Sequence, residues 1–184
     1  MERCFNFVNG LVSWKIVYDV SGKYRNWVIL EQKDQNIEIK KKVPLIMFNP
    51  GSFSNENNFR EDKTFQTLLK MFLNSGHQIE VLNLFNISEK NKKKLRLMDD
   101  DIRDNENPII DKLKMYKVGD KVVIQWGKLE KYAEAKAKLV FGTINKVGLQ
   151  ELGLKKENRF YYHPLRILWE SKINDFRQKI LSQL

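Results

Sequence analysis

Residues 45 to 51 read Leu-Ile-Met-Phe-Asn-Pro-Gly and close a continuous apolar run that starts at Val43. Such a run suits a strand buried on both faces, as strands of parallel sheets are. Pro50 cannot donate to a sheet ladder, so Pro50-Gly51 ends the strand. Residues 51 to 61 are rich in Gly, Ser and Asn and read as a loop. In 62 to 75, Phe65, Leu68, Leu69, Phe72 and Leu73 fall at the spacing of an amphipathic helix, with Asp62 as N-cap and Gly76 as stop. Residues 78 to 87, containing Val81-Leu82-Asn83-Leu84-Phe85, form a second buried strand.

The same alternation continues toward the C-terminus. A charged stretch at 88 to 104 is a loop or short surface helix, and 106 to 116 is helical through Ile109, Ile110 and Leu113. A third strand at 121 to 126 ends in Val-Ile-Gln-Trp-Gly at 123 to 127. A helix is expected from 128 to about 147, interrupted at Gly142, then a loop at 152 to 158, a short fourth strand at 159 to 162 and a terminal helix at 167 to 183. Before all of these, 14 to 20 and 25 to 32 are β-rich and flank the turn Ser21-Gly22-Lys23, which makes an N-terminal hairpin. The expectation is a single α/β domain over 1–184: three layers around a central, mostly parallel four-stranded sheet, plus the hairpin. Carboxyl ends of parallel strands share one edge, where ligands bind. Asn49, Asn83, Trp126 and His163 each stand at such an end and are expected to converge on one site.

The bulk composition fits this. The 184 residues are 42% hydrophobic and include four Trp, six Tyr and eleven Phe, too many aromatics for a disordered chain. The net charge of +10 favours a polyanion such as DNA or another nucleic acid, although a solvated basic surface would carry the same surplus. One cysteine, Cys4, and two histidines, His77 and His163, offer no metal-ligand cluster and no intrachain disulfide. The Asp99 to Asp101 run lacks the spacing of a calcium loop. There is no Walker loop, no Gly-x-Gly-x-x-Gly and no Gly-x-Ser-x-Gly elbow. Neither a cofactor nor a metal is expected. No segment has the apolar length of a signal peptide or membrane span, so the expected location is the cytoplasm, away from membrane.

The motifs together carry a resemblance. Asn49-Pro50, Asn83-Leu84-Phe85, Trp126-Gly127 and His163-Pro164-Leu165 resemble, over roughly residues 14 to 170, an uncharacterised family of bacterial and phage proteins known as a domain of unknown function. That family in turn resembles the uracil-DNA glycosylase superfamily. In its mismatch-specific branch a strand ends in Asn-Pro-Gly, as at 49 to 51, and a His-Pro loop precedes the last helix, as at 163 and 164.

The resemblance implies a role for each position. Asn49 would orient a water against the sugar carbon, and Asn83 would read the polar edge of a base rotated out of the stack. His163 would donate to the negative charge that develops on the leaving base. Phe48 or Phe53 would stack on that base, and Leu165 or Arg166 would stand where the superfamily inserts a wedge into DNA. Three departures stand out. Asn49 cannot take a proton as an Asp would. Leu165 replaces the Ser expected after His-Pro, and Phe48 replaces a Gln. The implied activity is excision of a damaged or modified base from DNA. A base-binding module without turnover, or an enzyme acting on free nucleotides or nucleosides, fits the same residues.

Each position also has a plainer reading. Asn49 before Pro is a common strand-ending turn, and a histidine is often a packed residue. Trp126 reads first as core, and the lysines at 90 to 94 as a solvated loop. Asn83 is the hardest to dismiss, because an amide inside an apolar strand needs partners.

Overall fold

The computed structural model describes residues 2–9, 12–21, 24–33, 41–48, 61–87, 108–157, 160–169 and 171–184. Among them, β1 (Glu2–Asn9), β2 (Val12–Ser21) and β3 (Tyr24–Lys33) are antiparallel neighbours. β4 (Lys41–Met47), β5 (His77–Asn83), β6 (Lys121–Ile124) and β7 (Gln150–Leu152) run parallel to one another. β3 joins the two halves by pairing antiparallel with β5. The result is one mixed sheet of seven strands in the order β1-β2-β3-β5-β4-β6-β7.

Side-chain alternation divides the core between two faces. Val43, Leu45 and Met47 of β4, Ile79 and Val81 of β5 and Val123 of β6 point to one face. There they meet Phe65, Leu68, Leu69 and Met71 of α1 (Lys63–Met71). On the opposite face, Ile46, Phe48, Leu82, Val122 and Ile124 meet Ile109 and Leu113 of α2 (Pro108–Lys114) and Ala137, Val140 and Ile144 of α3 (Glu134–Val147). After two further short strands, β8 (Lys155–Glu157) and β9 (Phe160–Tyr161), the chain returns to the first face. It ends there in α4 (Pro164–Trp169) and α5 (Ile173–Lys179), which contribute Ile167 and Phe176. Asp62 caps α1 as expected: its Oδ1 accepts from Thr64 N at 2.8 Å and Phe65 N at 3.3 Å. Leu45, fully buried in the layer that faces α1, is a position where truncation to Ala would cost about 2–5 kcal/mol.

The α/β class and the N-terminal hairpin stand, but the sheet differs from the expected mostly parallel, four-stranded one. The hairpin strands are part of the main sheet, not an appendage, and β1 extends it further. Three of its six pairings are therefore antiparallel. The fourth parallel strand is β7, which falls between the expected helix and the expected loop and overlaps that loop only at Leu152. The segment at 159 to 162 forms β9, which pairs only with β8 in a separate two-stranded ladder. α3 runs unbroken through Gly142 and stops at Gly148. The terminal helix is two helices, with Ser171 between them at φ +54°. The misses at β7, β9 and the terminal helix involve strands of three residues or fewer and a single left-handed residue, which leave almost no periodic signal. No helix among the described residues is long and apolar enough to cross a membrane.

Candidate functional site

β5, β4 and β6 end at one level. Met47 pairs with Asn83, and Ile46 with Ile124. The ladder continues one step beyond the strands through Leu84 N to Met47 O at 2.8 Å, Phe85 N to Phe48 O at 2.9 Å and Gln125 N to Ile46 O at 2.8 Å. Asn83 follows Val81 by two residues, Met47 follows Leu45, and Gln125 follows Val123. The period of two therefore puts all three side chains in one row on the α1 face.

Two members of this row are amides in an apolar setting. Asn83 is 4% exposed and Gln125 fully buried. Asn83 Nδ2, Gln125 Nε2 and Gln125 Oε1 have no hydrogen-bond partner among the described residues. A buried amide atom without a partner costs about 1–3 kcal/mol, and folded chains carry few of them. Such atoms are where a ligand with matching donors and acceptors gains most.

His163 reaches the same edge by another route. Tyr161 lies against the end of β6 because residue 153 is glycine: a Cβ there would stand 2.6 Å from the Tyr161 ring and 2.8 Å from the Ile124 carbonyl oxygen. Two residues on, the His163 Cβ comes within 3.5 Å of where a Cβ of Gly127 would be, and Gly127 has φ +79°. Leu165 N–H donates to His163 Nδ1 at 3.3 Å. The proton of the neutral ring is then on Nε2. His163 thus borders the strand that carries Gln125.

Arg25 closes the opposite end of the row. A register shift in the β2–β3 pairing falls just beside it, and Arg25 N donates to Asn86 O at 2.7 Å. Its guanidinium lies 5.0 Å from the centroid of the Phe65 ring, so it is on the α1 face, one strand over from Asn83. Arg25 is 3% exposed. Burial lowers its pKa to about 10, against the opposing pull of Asp62, so it is a cation at neutral pH.

The other expected site residues separate. Phe48 is buried on the far face against Phe85 and Tyr132, with ring centroids 5.3 and 6.2 Å away. Trp126 is core on that same face, edge-on to Phe141 and Tyr161. Leu165 is half-buried and Arg166 exposed, both in the first turn of α4. Lys128 and Lys131, exposed just past β6, add positive charge near the edge. Asn49, Pro50 and Phe53 lie outside the described residues, as do the lysines at 90 to 94. Sequence reasoning singled out Asn83 and His163 but passed over Gln125 and Arg25. Gln125 carries the same signal as Asn83, a polar residue inside an apolar strand, and that signal was available.

No group of three or more His, Cys, Asp or Glu side chains suited to a metal ion occurs among the described residues. An open groove of about 660 Å³ lies elsewhere, between α3, β7, β8 and β9. Its Glu151 is already paired with Lys155 at 2.8 Å and accepts from the Tyr161 hydroxyl, so it offers a ligand less than the strand-end row does.

No curated protein matches the chain. Among solved structures, the crystal structure of a candidate acetyl xylan esterase from Bacteroides fragilis is similar at 14% identity, covering 78% of this chain and 46% of that one with a TM-score of 0.36. A score that low does not define a common fold. Residues 25–165, from Arg25 to the residue two past His163, match the model of the family described as Protein of unknown function (DUF1643), and the chain belongs to that family.

Proposed function

We propose that this protein binds nucleic acid and receives one base, turned out of the stack, against Asn83 and Gln125. The proposed fold and pocket are of the uracil-DNA glycosylase kind, and the proposed reaction is hydrolysis of the N-glycosidic bond. The observation that carries this is a pair of buried amides with partnerless atoms among the described residues, Asn83 Nδ2 and Gln125 Nε2 and Oε1, on one face at the ends of β5 and β6. Each amide offers a donor beside an acceptor, as does the polar edge of a nucleobase. Met47, between them, provides an apolar floor. His163 Nε2–H would donate to the base as it leaves with the bond's electron pair. Asn49 would hold the attacking water by hydrogen bonds without accepting its proton, and that proton would end on the departed base, which leaves as an anion. The net charge of +10 and the cations at Lys128, Lys131 and Arg166 would hold the phosphate backbone.

The test is incubation with labelled DNA containing uracil, mismatched or modified bases, followed by cleavage at abasic sites. Abasic product is expected from at least one substrate. Asn83→Ala, Gln125→Ala and His163→Ala should each lower its yield at least tenfold. DNA affinity that does not weaken with salt, or no binding to any oligonucleotide, would overturn the proposal. A second reading, base recognition without turnover, is favoured by Asn at position 49 in place of an acid. It would give salt-dependent binding that needs Asn83 and Gln125 and yields no abasic product.

A further inference from the structure

We infer that Arg25 binds a phosphate of the ligand, so that the row from β3 to β6 holds a nucleotide with its phosphate at Arg25 and its base between Asn83 and Gln125. This rests on the nucleobase reading of the two amides. The strand order places Arg25, Asn83, Met47 and Gln125 on consecutive strands. Three inter-strand steps make the row about 14 Å long. That span matches the length of a base, a sugar and one phosphate laid side by side. Nothing in this row but Arg25 is charged, and the layer beneath it is Phe65, Leu68 and Leu69.

The chemistry at Arg25 suits an oxyanion. A guanidinium presents five donors in a planar fork and pairs with phosphate in a bidentate manner. The Arg25 Cζ lies over the Phe65 ring, 5.0 Å from its centroid. The carboxylate whose field reaches it, Asp62, has one oxygen committed to two amides at the start of α1. The bulge beside Arg25 turns it toward α1, while its neighbour Asn26 bonds to Asp19 at 2.7 Å and to Asn86 at 3.0 Å. A charged side chain is thus steered into the same layer and the same sheet edge as the partnerless amides.

The experiment is calorimetric titration of the full chain with nucleosides, their 5′-monophosphates, inorganic phosphate and a short single-stranded oligonucleotide. It is run on wild type, Arg25→Gln, Arg25→Lys and Asn83→Ala. Wild type is expected to bind a monophosphate, or the oligonucleotide, at least tenfold more tightly than the matching nucleoside. Arg25→Gln should lose that gain yet keep nucleoside affinity within about twofold, and Arg25→Lys should keep part of the gain. A gain seen only with the oligonucleotide assigns the phosphate to a polynucleotide backbone, and a gain with the monophosphate assigns it to a free nucleotide.

If wild type binds nucleosides and gains nothing from phosphate, Arg25 has no such role and the base pocket stands. If Arg25→Gln weakens nucleoside and monophosphate by the same factor, Arg25 is structural and the inference falls. If inorganic phosphate binds through Arg25 while no nucleoside, nucleotide or oligonucleotide binds, the base reading falls and an anion site remains. Should Arg25→Gln not fold, the same ratios are read from Arg25→Lys, and an unchanged phosphate gain there overturns the bidentate geometry.

Discussion

β5 carries two buried polar side chains, and they are opposites. Glu80 points to the α2 face and is fully engaged. It accepts from the Tyr116 hydroxyl at 2.6 Å and from Lys112 Nζ at 3.1 Å, with Lys42 Nζ at 3.7 Å. Burial and then the charge of Glu80 push the Tyr116 hydroxyl well above its ordinary pKa, so it remains a donor throughout the accessible pH range. Asn83, three residues later on the α1 face, is as buried and has an amide nitrogen with no partner among the described residues. One strand thus contains a polar group that holds helix to sheet and another whose amide nitrogen no described residue engages. A satisfied buried polar group is ordinary structural practice, whereas the unsatisfied nitrogen at the carboxyl end of β5 is what the proposed site rests on.

Mutation should separate the two, beginning with the largest effect. Glu80→Ala leaves Lys112 and Tyr116 facing an apolar gap and should lower unfolding free energy by about 3 kcal/mol. Urea denaturation measures this, and nucleic-acid affinity of the remaining folded protein should be unchanged. Asn83→Leu and Gln125→Leu should move stability the other way or not at all, by about 0 to 2 kcal/mol, since each removes an unpaired buried amide. The same two variants should lose ligand binding, and that opposition of signs is the sharpest form of the contrast. Asp62→Ala should cost about 1 kcal/mol through the lost cap of α1, and thermal melting would show it.

The smallest effect belongs to a surface pair. Lys41 Nζ lies 2.8 Å from Asp120 Oδ1. The hydrogen bond from Lys41, followed by the Lys117 backbone N–H, holds the Asp120 pKa below its ordinary value of 3.8. A depressed carboxylate pKa contributes stability that is present above the unfolded value and is lost as pH falls through the folded one. Lys41→Ala should therefore cost under about 1 kcal/mol at pH 7 and less in high salt. It should also flatten the loss of stability below pH 3.8. A similar loss from Lys41→Ala at pH 2 and pH 7 would show that the pair contributes nothing.

How far this was legible in the sequence depended on the length of each signal. The apolar run at 43 to 49 and the helical spacing of Phe65, Leu68 and Leu69 gave β4 and α1 with their cap, because each spans a whole periodic window. The strand at 159 to 162 was legible as β9, but its pairing with β8 outside the main sheet was not, and β7, at three residues, is set by tertiary pairing alone. The row at the sheet edge was half legible. Asn83 and His163 stood out against apolar neighbours and a following proline. Gln125 shows the same contrast, but it stands beside Trp126, the larger motif residue, which is core on the other face. Arg25 could not be placed from sequence, because the bulge that turns it inward depends on the register between β2 and β3.

Side-chain amide NMR tests the central claim most directly. With selectively labelled Asn and Gln, the Nδ2 and Nε2 resonances of Asn83 and Gln125 would be followed while an oligonucleotide or nucleotide that binds is added. Both should shift together, while the Tyr116–Glu80 contact stays unchanged. If ligand binds and moves other resonances while these two amides stay put, they are not the site.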